Sequence, residues 1–170
     1  MIFSHADLAD LADCFKLKTK NKKLRTVSHA DLADVADIYY LKIFIMTENE
    51  ISYIIRGAIF KVYNELGPGL LESVYEEALT YQLEKDGYKV QRQVPIPIIY
   101  DGKELSSELR LDILVEDKVI IELKSVIEMR EVFFKQIKTY LRLTGLKLGI
   151  LVNFTTDNLS QDIYRVVNQI

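Results

Sequence analysis

A mixed β-sheet with helices packed over it, an α/β or α+β single domain, is the fold class that this sequence predicts. Three observations carry it. The hydrophobic period changes along the chain in the order helix, helix, four strands, helix, strand, helix. The chain has 170 residues, 49% apolar and 28% charged, which suffices for one hydrophobic core. Its single cysteine, Cys14, allows no intramolecular disulfide framework, so the fold must stand on packing alone. A reducing compartment follows, and the cytoplasm is the expected location.

The first 45 residues stand apart from the rest. Ser4-His5-Ala6-Asp7-Leu8-Ala9-Asp10 recurs as Ser28-His29-Ala30-Asp31-Leu32-Ala33-Asp34, at an offset of 24 residues. Two copies are too few to bury a repeat core. Duplicated DNA read through from an upstream start accounts for the repeat, with Met46 as the expected start of the working protein. A helical appendage, joined by the Lys-rich stretch from Lys16 to Arg25, is the other reading. The expected organisation is a duplicated extension over residues 1–45 and one domain over residues 46–170.

From Met46 the elements follow in order. Thr47 and Glu50 have the spacing of a capping box, in which each side chain satisfies the other's backbone at the start of a helix. Ile51, Ile54, Ile55, Ala58, Ile59, Val62 and Leu66 recur at helical spacing until Gly67-Pro68-Gly69 stops the helix. A second helix is expected from Leu70 to Asp86, with Leu71, Val74, Tyr75, Ala78 and Leu79 on its buried side and Gly87 as its stop. Strands are expected from Tyr88 to Val94 and from Ile96 to Tyr100, where Asp101-Gly102 signals a tight turn. A hairpin over residues 109–124 comes next. A helix from Arg130 to Thr144 ending near Gly145, a buried strand from Leu148 to Asn153, and a last helix from Asn158 to Asn168 complete the series.

The hairpin carries the charges that matter. Leu109, Leu111, Ile113 and Val115 alternate with Arg110, Asp112 and Leu114; after Glu116-Asp117-Lys118, Val119, Ile121 and Leu123 alternate with Ile120, Glu122 and Lys124. Placing both apolar sets on one face requires Val115 opposite Val119 and a three-residue loop. In that register Asp112 lies opposite Glu122 and Arg110 opposite Lys124, with Cβ atoms ~5 Å apart. Two carboxylates at that distance repel unless a cation lies between them. Hard oxygen ligands favour Mg2+, which keeps several waters and accepts phosphate oxygens as further ligands. The same face also reads as an exposed set of cross-strand ion pairs.

Composition narrows the alternatives. Both histidines, His5 and His29, precede Met46, so the main domain has neither His nor Cys beyond that point. That removes Ser-His-Asp triads, cysteine nucleophiles and zinc sites. No run of about 18 apolar residues suggests a membrane span. From Met46 onward 15 Lys and Arg stand against 19 Asp and Glu, so any nucleic-acid contact must come from a local patch. Lys135, Lys138 and Arg142 offer one at helical spacing, beside Arg110 and Lys124; an ordinary solvated helix face is the alternative. A weakly basic groove implies modest, salt-sensitive affinity, with specificity supplied by a partner protein, a homodimer or DNA ends. A retaining glycosidase, whose carboxylates also stand about 5 Å apart, fits less well, because Trp is absent and Lys124 has no role there.

Gly69-Leu70-Leu71-Glu72-Ser73-Val74-Tyr75 resembles the signature of the GxxExxY family. Asp112, Glu122-Leu123-Lys124 and the span from Gln136 to Tyr140 resemble that family's nuclease-like motifs, the last being similar to a motif of RecB-type nuclease domains. The resemblance covers residues 47–170. It implies a restriction-endonuclease-like fold of the PD-(D/E)XK superfamily and Mg2+- or Mn2+-dependent hydrolysis of nucleic acid, DNA in the first instance. By resemblance Asp112 and Glu122 match the metal-binding acids and Lys124 the signature lysine. The Leu123 carbonyl and Glu72 match further ligands. Gln136 and Tyr140, one helical turn apart, match substrate contacts, whereas Tyr75 reads as packing. Two departures stand out: Phe133 and Tyr63 occupy positions where the family commonly has His. They keep alive a second reading, a nuclease-fold binding module that cuts poorly.

Overall fold

The computed structural model describes residues 46–106 and 109–168. The expectations placed on residues 1–45, namely the duplicated extension and a working start at Met46, lie outside the described residues. Among those described, helices α1 (Glu48–Leu66) and α2 (Glu72–Lys85) precede strand β1 (Val90–Ile96). A small hairpin follows, β2 (Ile99–Tyr100) and β3 (Lys103–Glu104). Then come β4 (Leu109–Val115), β5 (Val119–Lys124), α3 (Glu131–Thr144), β6 (Leu148–Asn153) and β7 (Ile163–Val167). Five strands form one mixed sheet in the order β1-β4-β5-β6-β7, with β5 and β6 parallel and the other pairs antiparallel. This is the α/β architecture expected, consistent with a restriction-endonuclease-like fold.

Local chemistry starts and stops these elements. The Thr47 hydroxyl accepts from the Glu50 amide while the Glu50 carboxylate accepts from the Thr47 amide at 2.8 Å, so the capping box forms as read. Asp101 and Gly102 adopt φ of 49° and 76°, the left-handed turn that joins β2 to β3. Gly145, at φ 73°, ends α3. Both sheet faces are covered. Ile51, Ile55, Ile59, Tyr75, Leu79 and Leu83 of α1 and α2 pack on one side against Ile113, Val115, Ile121 and Val152. Ile137, Tyr140 and Leu141 of α3 pack on the other against Leu114, Ile120 and Leu151. β5, in the middle, is buried at every residue.

Four expectations are corrected. The segment read as a last helix is a short 3₁₀ turn, Leu159–Gln161, followed by β7, whose Ile163-Tyr164-Arg165-Val166-Val167 pairs with the open edge of β6. β-branched and aromatic residues beside an unpaired edge favour the strand over the helical spacing of the same apolar residues. On α2 the buried stripe runs through Tyr75, Glu76, Leu79, Thr80 and Leu83, leaving Leu71 and Val74 exposed. The strand expected from Ile96 to Tyr100 is broken at Pro97, while Pro95 sits inside β1, an edge strand that tolerates a missing donor. Finally, Leu109 and Leu111 do not share a face with Ile113 and Val115: the first two pack beneath α3, the latter two beneath α1 and α2.

The seat of α3 depends on an absent methyl group. A Cβ on Gly149 of β6 would stand 2.7 Å from Cδ1 and 3.0 Å from Cγ1 of Ile137, which is fully buried and would have to shift. Gly149→Ala should destabilise the fold by roughly 1–3 kcal/mol. Chemical denaturation measures this, and an unchanged midpoint would contradict the close packing of α3 on β6.

Candidate active site

Three hairpin residues converge, Asp112 from the middle of β4 and Glu122 and Lys124 from the half of β5 away from the loop. The expected three-residue loop is present: Val115 pairs with Val119, and Glu116 and Asp117 take φ of 51° and 52° to close the turn. Backbone pairing runs only as far as Ile113 with Ile121. Beyond that point a side chain replaces the ladder, for Asp112 Oδ2 accepts the Leu123 amide at 2.8 Å. The expected direct opposition of Asp112 to Glu122 and of Arg110 to Lys124 is therefore not a ladder pairing. Arg110 reaches back to β1 instead, donating to the Gln93 carbonyl at 3.0 Å.

Glu122 is 1% exposed and Lys124 8%. Lys124 Nζ stands 2.8 Å from Glu122 Oε1 and 3.9 Å from Glu72 Oε1, with the Phe133 ring centroid at 5.5 Å. The other carboxylate oxygen, Glu122 Oε2, is buried without any hydrogen-bond partner. Such an orphan acceptor in a native interior is accounted for by an ion, an ordered water or a catalytic role. Burial pushes Asp112 from its ordinary 3.8 to about 6, against the pull of the Leu123 amide and Lys124. Burial and then the Asp112 charge push Glu122 from 4.5 to about 7. For Lys124 burial works downward, but Glu122, Glu72 and Asp112 outweigh it, and the ammonium is held charged. Two carboxylates pushed upward beside a fixed ammonium form a site short of positive charge.

The remaining candidates divide between two regions. Gln136 Nε2 donates to the Tyr140 hydroxyl at 2.7 Å, and Tyr140, raised by burial, also feels the charges of Glu122, Asp112 and Lys124. That pair faces the acids. Lys135, by contrast, is exposed and paired with Glu131 at 3.1 Å. Lys138 and Arg142 line a groove between α3 and β7 with Phe134 and Tyr164. Lys138 is two residues on from Gln136, about 200° round the helix, so the basic stripe and the acid site occupy different sides of α3. Glu72, the first residue of α2, accepts the Ser125 amide at 3.2 Å and faces Lys124. Among the described residues no group of three His, Cys, Asp or Glu side chains is arranged to hold an ion. Asp112 and Glu122 are thus a two-carboxylate set, which suits an ion that keeps several waters.

Sequence reasoning missed the polar residues that shape the site. Asn153, 2% exposed at the end of β6, accepts the Val126 and Thr155 amides and donates to the Val126 carbonyl, so it fixes the chain just past Lys124. Ser125 Oγ donates to the Leu70 carbonyl at 2.6 Å and ties the same loop to the entry of α2. Glu76 is buried against Arg92 and Gln93. A polar residue at the very end of an apolar strand was the available signal for Asn153; Glu76 gave only its i, i+4 spacing from Glu72. Tyr75 is packing as read, stacked on Phe154 at 4.2 Å, with its hydroxyl bonded to Gly67 and Leu70. The hydroxyl of Tyr63 donates to the Thr156 carbonyl.

Among the described residues no helix is long and apolar enough to cross a membrane. No curated protein and no solved structure matches the chain. A family model does, that of the PD-(D/E)XK nuclease superfamily, and it spans residues 49–166, from the first turn of α1 into β7. On that match, with two acids and a lysine on β4 and β5, the chain belongs to the PD-(D/E)XK nuclease superfamily.

Proposed function

We propose that this protein is a Mg2+- or Mn2+-dependent nuclease of the GxxExxY type that hydrolyses phosphodiesters in DNA, in a processing or repair role. The single observation that carries this is the orphaned Glu122 Oε2, buried beside Asp112 while the other oxygen is taken by Lys124. Asp112, Glu122 and the Leu123 carbonyl would hold the ion, with Glu72 closing the acidic wall behind Lys124. Bound there, the ion supplies a water of lowered pKa and neutralises phosphoryl charge. Lys124, kept charged by Glu122, orients the attacking water and donates to a phosphoryl oxygen. Gln136 and Tyr140 present a donor and a hydroxyl to the substrate phosphate or base. Arg110, Lys135 and Lys138 supply charge to the flanking backbone, which makes binding salt-sensitive.

One observation favours a second reading, a nucleic-acid-binding module that turns over weakly. Phe133 places an apolar ring 5.5 Å from the Lys124 ammonium, where it offers no proton donor. The two readings separate in one assay. The full chain is incubated with linear, nicked and single-stranded DNA and with RNA, in Mg2+ or Mn2+, beside Asp112→Ala and Lys124→Ala. The nuclease reading expects cleavage by the wild type and a loss of about 10²-fold or more in each variant. Equal behaviour of all three proteins on every substrate would falsify it, and retained binding without cutting would favour the module.

The same carboxylates predict an inverted pH dependence of stability. In the metal-free fold Asp112 and Glu122 keep their protons up to pH about 6 and 7, whereas the unfolded chain releases them near 3.8 and 4.5. Between those limits the folded state holds more protons, so their contribution to stability falls as pH rises. Asp112→Asn should gain on the wild type by on the order of 1–3 kcal/mol between about pH 4 and 7, and Mg2+ should close that gap above pH 7. Thermal melts across this window measure it; a wild-type to variant difference independent of pH would count against the raised pKa values.

A further inference from the structure

Between α2 and the acids lies a buried carboxylate that the proposed chemistry does not use. Glu76 is 7% exposed, and both its oxygens are engaged: Oε1 accepts from Arg92 Nε at 2.9 Å and Oε2 from Gln93 Nε2 at 2.9 Å. Gln93 lies inside β1, yet its φ is 50°, in the left-handed region. A residue with a side chain is strained in that conformation, and it persists only where neighbours hold it. Gln93 is held at both ends. Its side chain is fixed by Glu76, and its carbonyl accepts from Arg110 Nη1 at 3.0 Å.

The position of this kink in the sheet gives it meaning. β1 and β4 pair on either side of it, Arg92 with Ile113 and Val94 with Leu111, and the residue facing Gln93 in that register is Asp112. The ladder is interrupted at this one step. On the β4 side of the interruption Leu111 packs beneath α3 and Ile113 beneath α1 and α2, although two residues in a regular strand share a face. The half-turn between them falls on Asp112, whose carboxylate crosses to the Leu123 amide on the far strand.

We propose that Glu76 and Gln93 form a positioning clamp for Asp112: by holding Gln93 in the left-handed conformation, Glu76 keeps the β1–β4 ladder open opposite Asp112 and so fixes the Asp112 carboxylate on the Leu123 amide. Arg92 neutralises Glu76 and lets it remain buried. Neither clamp residue touches substrate in this scheme; they act through Asp112. The clamp is a claim about the orientation of Asp112, and its bearing on an ion rests on the function proposed above.

Amide hydrogen exchange at Leu123, followed by NMR on the full chain, reads the clamp without any activity. Asp112→Ala sets the exchange rate of an unclamped Leu123. Gln93→Ala, a change at an exposed position that leaves the core intact, should bring Leu123 to within a few-fold of that rate while Ile121 on the same strand keeps its protection. The exchange of partners, Glu76→Gln with Gln93→Glu, retains an amide-to-carboxylate bond with its direction reversed and should restore protection. Mn2+ titration of the same proteins should show affinity about 10-fold weaker in Gln93→Ala and recovered in the double variant. Wild-type exchange at Leu123 in Gln93→Ala, or failure of the double variant to recover it, overturns the clamp. Slow exchange restored in the double variant, together with a wild type that neither binds Mn2+ nor cuts DNA, upholds the clamp and removes the nuclease reading.

Discussion

Burial of a carboxylate and an ammonium at the end of the central strand is the constraint around which the rest of this domain is arranged. Glu122 and Lys124 lie on β5, covered by α1 and α2 on one face and α3 on the other. Removing two such charges from water costs several kcal/mol per ion, and their mutual contact at 2.8 Å offsets only part of it. Neighbouring polar groups must supply the remainder. Glu72 stands behind the lysine, Phe133 lays its ring against it, and Asp112 is pinned by a backbone amide, yet one oxygen of Glu122 is left without a partner. Among these groups the unsatisfied atom is Glu122 Oε2.

The parts of this arrangement that depend on short-range rules were legible in the sequence. The loop length and the Val115–Val119 pairing followed from the two-residue period of the hairpin, because only that register puts Ile113 and Val115 on one face with Ile121 and Val119. The capping box and the stop at Gly145 likewise rest on contacts within a few residues, and the strand from Leu148 to Asn153 showed as a short apolar run. Long-range partners were not legible. The twist at Asp112 is imposed by Gln93, on another strand, and Gln93 is held by Glu76, on a helix. The segment after Leu159 could satisfy a helical period by itself, and became a strand because β6 presented an open edge. Leu71 and Val74 looked buried by spacing alone, but α2 turns Glu76 inward to meet Arg92.

Composition and geometry agree on what the domain can do. Lacking His and Cys beyond Met46, it has carboxylates, lysine, amide and phenol to work with, and such groups gather where β4 and β5 meet α3: Asp112, Glu122, Lys124, Gln136 and Tyr140. Membership of a nuclease superfamily gives that set a coherent use. Lys138 and Arg142 of α3 lie along the groove shared with β7, so the helix separates these basic residues from the polar pair that faces the acids.

The parallel pairing of β5 with β6 has a consequence for how the domain comes together. β4 and β5 form a local hairpin, and in that state Glu122 and Lys124 are bathed in water at no cost. Their enclosure is complete only with β6 in place as well, docked alongside after a helical crossover, with Asn153 holding the loop past Lys124. That step closes a long loop and is intrinsically slow. The chemistry-bearing groups are therefore assembled by the least local contact in the sheet, and a nascent chain that ends before Asn153 has the hairpin but not the enclosed acid and lysine.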